Sequence, residues 1–317
     1  MITPELLHYL AASLGIILSA LGSGIGIGIA SSGVQDAITR QPTGSAAQLR
    51  AMFIGLALIE SGPILALLFT LITLISGFRQ TITWEIALAE LGGSLAVGCA
   101  TAAISVASSF VVHASTLAIA RQPFFATKTL TFMLISQSII EAPAIFAFII
   151  AVVMRKYITP TIDMAESIKL FASGLVIALG CIGPSAGQAF LARSASTAIG
   201  TNKNAYNKIF SFSLLNEAII ETPMIFCVLL SFLIMYTPLP AAAPMVAAIK
   251  MLLAAITLGV GAFGSSVGIG YVSSRSCNYI ALDPEMSGLL SRTTLIAAAF
   301  IESIMIYAFV VAIFLLM

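Results

Sequence analysis

Four glutamates recur in one local setting, Ile59-Glu60-Ser61, Ile140-Glu141-Ala142, Ile220-Glu221-Thr222 and Ile301-Glu302-Ser303, at spacings of 81, 80 and 81 residues. Each sits inside a long apolar run, for example Met52 to Gly77 and Ile296 to Met317. A carboxyl in a low-dielectric surround disfavours its anion. Such a group holds a proton in lipid and releases it when water or a cation arrives. One isolated glutamate could serve only as a hydrogen-bonding strut between helices. Four at one periodic position point instead to repeated ion binding, because ionisable groups at membrane depth are costly and functional by default.

The elements that hold these carboxyls follow from the same repeat. Twenty residues before each glutamate lies a polar break: Arg40-Gln41-Pro42, Arg121-Gln122-Pro123, Thr201-Asn202-Lys203 and Leu282-Asp283-Pro284. Charge, proline and threonine interrupt the apolar pattern again at Gly77 to Thr83, Arg155 to Asp163 and Tyr236 to Pro244. Each repeat therefore reads as helix, short loop, helix. The chain is expected to be an all-α membrane protein of eight transmembrane helices in four tandem hairpins, 1–80, 81–161, 162–241 and 242–317. Each glutamate falls roughly 22 to 27 Å from either end of its helix at 1.5 Å per residue, which is membrane depth.

Composition agrees. The 317 residues are 59% hydrophobic and 9% charged, with a mean hydropathy of +1.08. A net charge of +1 offers no broad basic surface for nucleic acid. The N-terminus carries Pro4 and Glu5 where a signal peptide would place a basic cluster, so the first hydrophobic segment is expected to be retained. Cys99, Cys181, Cys227 and Cys277 have no paired spacing and read as small core residues. His8 and His113 lack companion ligands and are expected near opposite interfaces, so neither a metal site nor a catalytic residue is expected. Nine Lys and Arg fall on the loop side and five, Arg79 among them, on the other. That asymmetry places the loops in the cytoplasm and both termini opposite.

The first helix of each repeat carries a series of small residues. Gly22, Gly24, Gly26 and Gly28 correspond to Ala103, Ser105, Ala107 and Ser109, to Gly183, Ser185, Gly187 and Ala189, and to Gly264, Ser266, Gly268 and Gly270. Glycine in a helix costs about 1 kcal/mol relative to alanine, and close approach of neighbouring helices supplies the compensation. These helices are expected to form a tight inner layer. A phosphate-binding loop is a poor reading of Gly22 to Gly28, because no Lys-Ser/Thr follows and no strand precedes.

The glycine series, the Arg40-Gln41-Pro42 loop and the membrane carboxyl Glu60, in that order and spacing, make the chain resemble the rotor-ring c-subunit (proteolipid) of F-type ATP synthases. The resemblance extends over all four repeats, although family members usually have one hairpin and fused hairpins are more familiar in V-type relatives. It implies that Glu60, Glu141, Glu221 and Glu302 carry the transported ion and that the chain is non-catalytic. It also implies a homo-oligomeric ring, with the glycine-rich helices inside. Its partners would be the stator a-subunit bearing an essential arginine, the central stalk and membrane lipid. Arg40, Gln41, Pro42, Arg121, Gln122 and Pro123 would contact the stalk; the third and fourth loops depart from the Arg-Gln-Pro pattern, so that contact would fall mainly on the first two.

Ser61, Thr222, Ser303 and Gln188 are candidate supports for the ion sites. Only the third repeat pairs a glutamine on its first helix with a hydroxyl after the glutamate; Ile27, Ser108 and Ile269 stand at the position of Gln188 in the other repeats. Most sites then have few oxygens for sodium, so H+ is expected as the ion, with no cofactor. Pro63, Pro143 and Pro223 follow three glutamates and free the carbonyls of Ile59, Ile139 and Ile219 as local acceptors. Glu217, one turn before Glu221, is expected to point toward headgroups instead of coupling to its neighbour. The competing architecture is an eight-helix transporter with a proton relay, and a structural scaffold is a third reading.

Overall fold

A computed structural model describes residues 3–77 and 81–317; Arg79, one of the basic residues on the side opposite the loops, lies outside the described residues. Among the described residues, eight helical spans are long and apolar enough to cross a membrane. The first hairpin comprises α1 (Pro4–Arg40), α2 (Ser45–Ile59) and α3 (Ser61–Gly77), and the second α4 (Trp84–Arg121), α5 (Ala126–Ile140) and α6 (Ala142–Met154). The third comprises α7 (Met164–Gly180), α8 (Ile182–Thr201) and α9 (Tyr206–Tyr236), and the fourth α10 (Pro244–Leu282) and α11 (Ser287–Leu316).

Capping residues start these helices where the sequence turns apolar. The side chains of Thr3, Thr83 and Asp163 accept hydrogen bonds from the amides of Leu6, Ile86 and Glu166, supplying partners the first turn lacks. The four loops share one geometry despite their different sequences. Gln41, Gln122, Asn202 and Asp283 each donate a backbone N–H to the carbonyl four residues back at 2.9 Å, and a three-residue 3-10 turn follows. Pro42, Pro123 and Pro284 open three of those turns, at a position where a missing N–H does no harm.

Breaks inside the spans have a local cause. Proline cannot donate to the carbonyl four residues earlier. Pro63 and Pro143 lie just after the interruptions at Glu60 and Glu141, and Pro184 accounts for the one at Cys181 between α7 and α8. Pro223 is carried inside the continuous α9, while α11 has no proline and runs uninterrupted across Glu302.

The helices form two layers. α1, α4, α7 with α8, and α10 pack side by side in chain order; α2 with α3, α5 with α6, α9 and α11 form a looser second row against them. Small residues set the spacing of the first row. A Cβ on Gly22 would stand 2.5 Å from the Ala102 backbone, and one on Gly26 2.6 Å from the Ser105 carbonyl. Gly183 meets the backbone of Phe263 and Gly187 that of Ser266 in the same way. The series is two-sided, however: Gly24, Gly28 and Gly264 have nothing within 4 Å. Gly24 and Gly28 lie on a different face of α1 from Gly22 and Gly26, whereas Gly264, the equivalent of Gly22 and Gly183, lies in the last hairpin and has no following hairpin within the chain to meet.

Cys181, Cys227 and Cys277 are buried and Cys99 half-buried, all as free thiols in the helix packing. His8 does not stand alone as the sequence suggested. Its Nδ1 lies 2.5 Å from Oε2 of Glu90 on α4, whose other oxygen lies 3.2 Å from Arg155 Nη1. Arg155 donates further to Thr73 and Ser76 of α3. The cluster ties the ends of the first two hairpins together. Sequence reading missed it because its members are 65 to 82 residues apart and none recurs at the equivalent place in the other repeats.

Candidate functional site

The four glutamates all lie on the second row of helices, at equivalent places in the repeat. Glu60 is exposed, and Glu141, Glu221 and Glu302 are half-buried. Among the described residues none of the four forms an ion pair, whereas the buried Glu90 is flanked by His8 and Arg155. This contrast separates two kinds of membrane carboxyl. Glu90 is held by fixed partners, which suits a structural tie. The other four have no basic side-chain partner among the described residues.

Neighbouring hairpins build the surroundings of these carboxyls. Ser105 of α4 donates to the carbonyl of Ile59 at 3.3 Å, and Ser266 of α10 donates to that of Ile220 at 3.0 Å. Each hydroxyl thus reaches the residue immediately before a glutamate of the preceding hairpin. In the first hairpin this changes the role expected of the proline-freed carbonyl: Ile59 is already bonded by Ser105, which in turn accepts from Ser23 at 2.9 Å. The sequence held a signal for the two serines, since both stand 46 residues beyond the carbonyl they reach. By residue type alone they read only as small.

The candidate supports divide. Ser61 faces the Glu141 carboxyl of the next hairpin, and one oxygen of Glu141 is buried without a protein partner. Thr222 and Ser303 instead donate within their own helix, to Ala218 at 3.4 Å and Phe300 at 2.7 Å. The Gln188 amide donates to the backbone carbonyl of Glu217 at 3.5 Å, and its side-chain oxygen has no partner. Gln188 is therefore drawn to Glu217, one turn from Glu221.

Glu217 does not reach toward headgroups. It is fully buried, its Oε1 accepts from Ser136 of α5 at 2.8 Å, and its Oε2 is unpartnered. The physical reason is its helix face: one turn before Glu221 it points at the seam between the second and third hairpins. There Gln137, at the same place in the preceding repeat, likewise reaches back, to the Gly55 carbonyl at 3.2 Å.

At the loop end, Arg40 and Arg121 are exposed, Gln41 and Gln122 serve as the C-terminal caps, and Pro42 and Pro123 begin the 3-10 turns. Phe124 projects fully into the surroundings. The third and fourth loops bind each other, through Asn202 to the Ala281 carbonyl at 2.9 Å and Lys208 to Glu285 at 3.5 Å.

The family of the ATP synthase c-subunit matches this chain over residues 10–73, 91–154, 171–234 and 252–315, one stretch per hairpin, each including one of the four glutamates. The chain belongs to the ATP synthase c-subunit family. An ATP synthase c-subunit from Microcystis aeruginosa is 41% identical over 73 residues, which is 23% of this chain and 90% of that protein. One from Geotalea uraniireducens is 42% identical over 78 residues, 25% of this chain and 86% of its own length. A chloroplastic ATP synthase c-subunit from Oedogonium cardiacum is 40% identical over 73 residues, 23% of this chain and 88% of that protein. Nearly a whole relative thus corresponds to about one quarter of this chain, so the family's unit is present here four times in tandem. This multi-pass membrane protein has the hairpin as its repeating element.

Proposed function

We propose that the chain is the proton-carrying rotor-ring component of an F-type ATP synthase, with Glu60, Glu141, Glu221 and Glu302 as the carriers. The observation that carries this reading is the set of four equivalent carboxyls that form no ion pair among the described residues, beside a fifth, Glu90, that has two basic neighbours. Several copies close the ring, with the first row of helices inside and the glutamate row facing the stator a-subunit. An arginine of that stator discharges each carboxyl in turn, and ion flow becomes rotation. The loops face the cytoplasm and bind the central stalk through Arg40, Gln41, Pro42, Arg121, Gln122 and Pro123. The chain itself hydrolyses no ATP and needs no cofactor.

Two features support protons over sodium. A metal cation needs several oxygen ligands, and in the other repeats Ile27, Ser108 and Ile269 stand where the third has Gln188, so two of the three positions offer no side-chain oxygen. In the third, the Gln188 amide is engaged with the Glu217 backbone carbonyl. Ring closure is supported by the open small-residue faces of α1 and α10, the two ends of the inner row.

A hydrophobic carbodiimide, which reacts with protonated carboxyls reached through lipid, tests the assignment. Glu60, Glu141, Glu221 and Glu302 are expected to be labelled ahead of Glu5, Glu85, Glu166 and Glu285, as read by peptide mass spectrometry. Labelling should fall as pH rises and be little affected by added sodium. Absence of label at all four removes the proposed role, and sodium protection at all four overturns the choice of ion.

A further inference from the structure

A groove of about 480 Å³ runs along the first row of helices, between Leu18 and Gly22 of α1, Cys99 and Phe110 of α4, and Phe190 and Arg193 of α8. Its volume is within the 300–1,000 Å³ typical of ligand clefts. None of its lining comes from the glutamate-bearing helices, so it opens on the face of the inner row turned away from them. It plays no part in the ion chemistry proposed above.

The wall is apolar apart from the Ser185 hydroxyl and one charge, Arg193. That side chain is exposed, and among the described residues it forms no ion pair. Its guanidinium lies over the Phe110 ring, 5.5 Å from the centroid. His113, at the equivalent place in the second hairpin, flanks it; Asp36 lies near His113 and makes no ion pair with the arginine.

Depth decides what this arginine needs. On the same helix Gly187 packs against Ile220, the neighbour of Glu221. Arg193 is six residues closer to the loop, about 9 Å at 1.5 Å per residue. With a hydrocarbon half-thickness of roughly 15 Å, its stem can carry the guanidinium to the headgroup boundary. At that level a guanidinium without an ion-pair partner among the described residues stands among lipid phosphates, which it can pair. Immediately below it, toward the bilayer centre, the groove offers a wall suited to a hydrocarbon chain. One molecule satisfies both demands.

We propose that this groove binds an anionic phospholipid, with its phosphate on Arg193 and an acyl chain along α1, α4 and α8. A guanidinium presents parallel N–H donors that fit two phosphate oxygens. The equivalents of Arg193 are Ser32, His113 and Ser274. The site therefore occurs once per chain, although the hairpin occurs four times.

The test uses the full chain in neutral detergent, stripped of lipid and then offered phosphatidylglycerol or phosphatidylcholine with identical acyl chains. Retained lipid is counted by native mass spectrometry. Phosphatidylglycerol is expected to be retained about tenfold more strongly, the ratio that roughly 1.4 kcal/mol of added headgroup interaction confers. Arg193→Gln should erase the preference, and Arg193→Lys should keep part of it. Ala186→Phe, which fills the groove and leaves the charge in place, should lower retention of both lipids. Equal retention of the two lipids by the unaltered chain overturns the proposal, as does an undiminished preference in Arg193→Gln. Complete displacement of phosphatidylglycerol by millimolar inorganic phosphate would also overturn it, by showing that the groove holds no chain. The comparison of the two lipids on the unaltered chain decides the matter even where a variant fails to fold.

Discussion

Gly264 gives the sharpest test of how copies of the chain meet. Within the chain its position is open, with no atom within 4 Å of an added Cβ. Its equivalents are not open: Gly22 abuts Ala102 and Gly183 abuts Phe263, each the residue just before the next hairpin's equivalent position. Carried one step further, the pattern sets Gly264 against Leu21 of an adjoining copy and Gly268 against its Gly24. Gly264→Leu should therefore leave the single chain intact, and helix propensity would even favour it by up to about 1 kcal/mol. At the seam the added side chain meets backbone, as it would at Gly22 where the Cβ alone comes to 2.5 Å. Overpacking of this kind costs typically 1–3 kcal/mol. Each seam then weakens by about five- to 150-fold, at roughly tenfold per 1.4 kcal/mol. The assay is native mass spectrometry over a dilution series, with helical content measured in parallel. The expected result is a shift from closed assemblies to single chains with unchanged helicity. Closed assemblies at the same concentrations as the unaltered protein would refute the proposed seam. Gly183→Leu is the contrasting variant, since it should disrupt packing inside the chain and lower its melting temperature.

Arg155→Ala leaves Glu90 buried with only His8 beside it, so a loss of about 3–5 kcal/mol is expected, measurable by thermal melting in detergent; an unchanged melt would show the cluster to be inert. A lone buried carboxylate is too costly to persist in an apolar seam, so Glu217→Gln should be tolerated, whereas Glu217→Leu strands the Ser136 hydroxyl and should cost about 1–3 kcal/mol. Equal melting temperatures for the two variants would contradict that account of Glu217. Replacing Arg40 and Arg121 together with alanine should release the catalytic head from membranes while passive proton flux continues, and a failure of ring assembly instead would assign those loops to folding.

The repeat, the eight apolar spans and the equivalent places of the four glutamates within them were legible in the sequence, because all depend on local hydropathy and on position along a helix. The close packing of the first row was legible for the same reason, since several small residues in register have few other uses. What each carboxyl meets was not. Glu217 and Glu221 are one turn apart in one helix, yet one is buried against Ser136 and the other half-buried without a basic partner. Helix rotation against the neighbouring hairpin makes that difference, and rotation is set by packing. Glu90, His8 and Arg155 passed unnoticed because their pairing joins three helices across 65 to 82 residues. Ser105 and Ser266 read as small until the carbonyl each one reaches came within hydrogen-bonding distance. Local periodicity determined which residues share one place in the repeat; only the lateral packing of the hairpins decided that Glu90 is held by basic partners while, among the described residues, Glu221 is not.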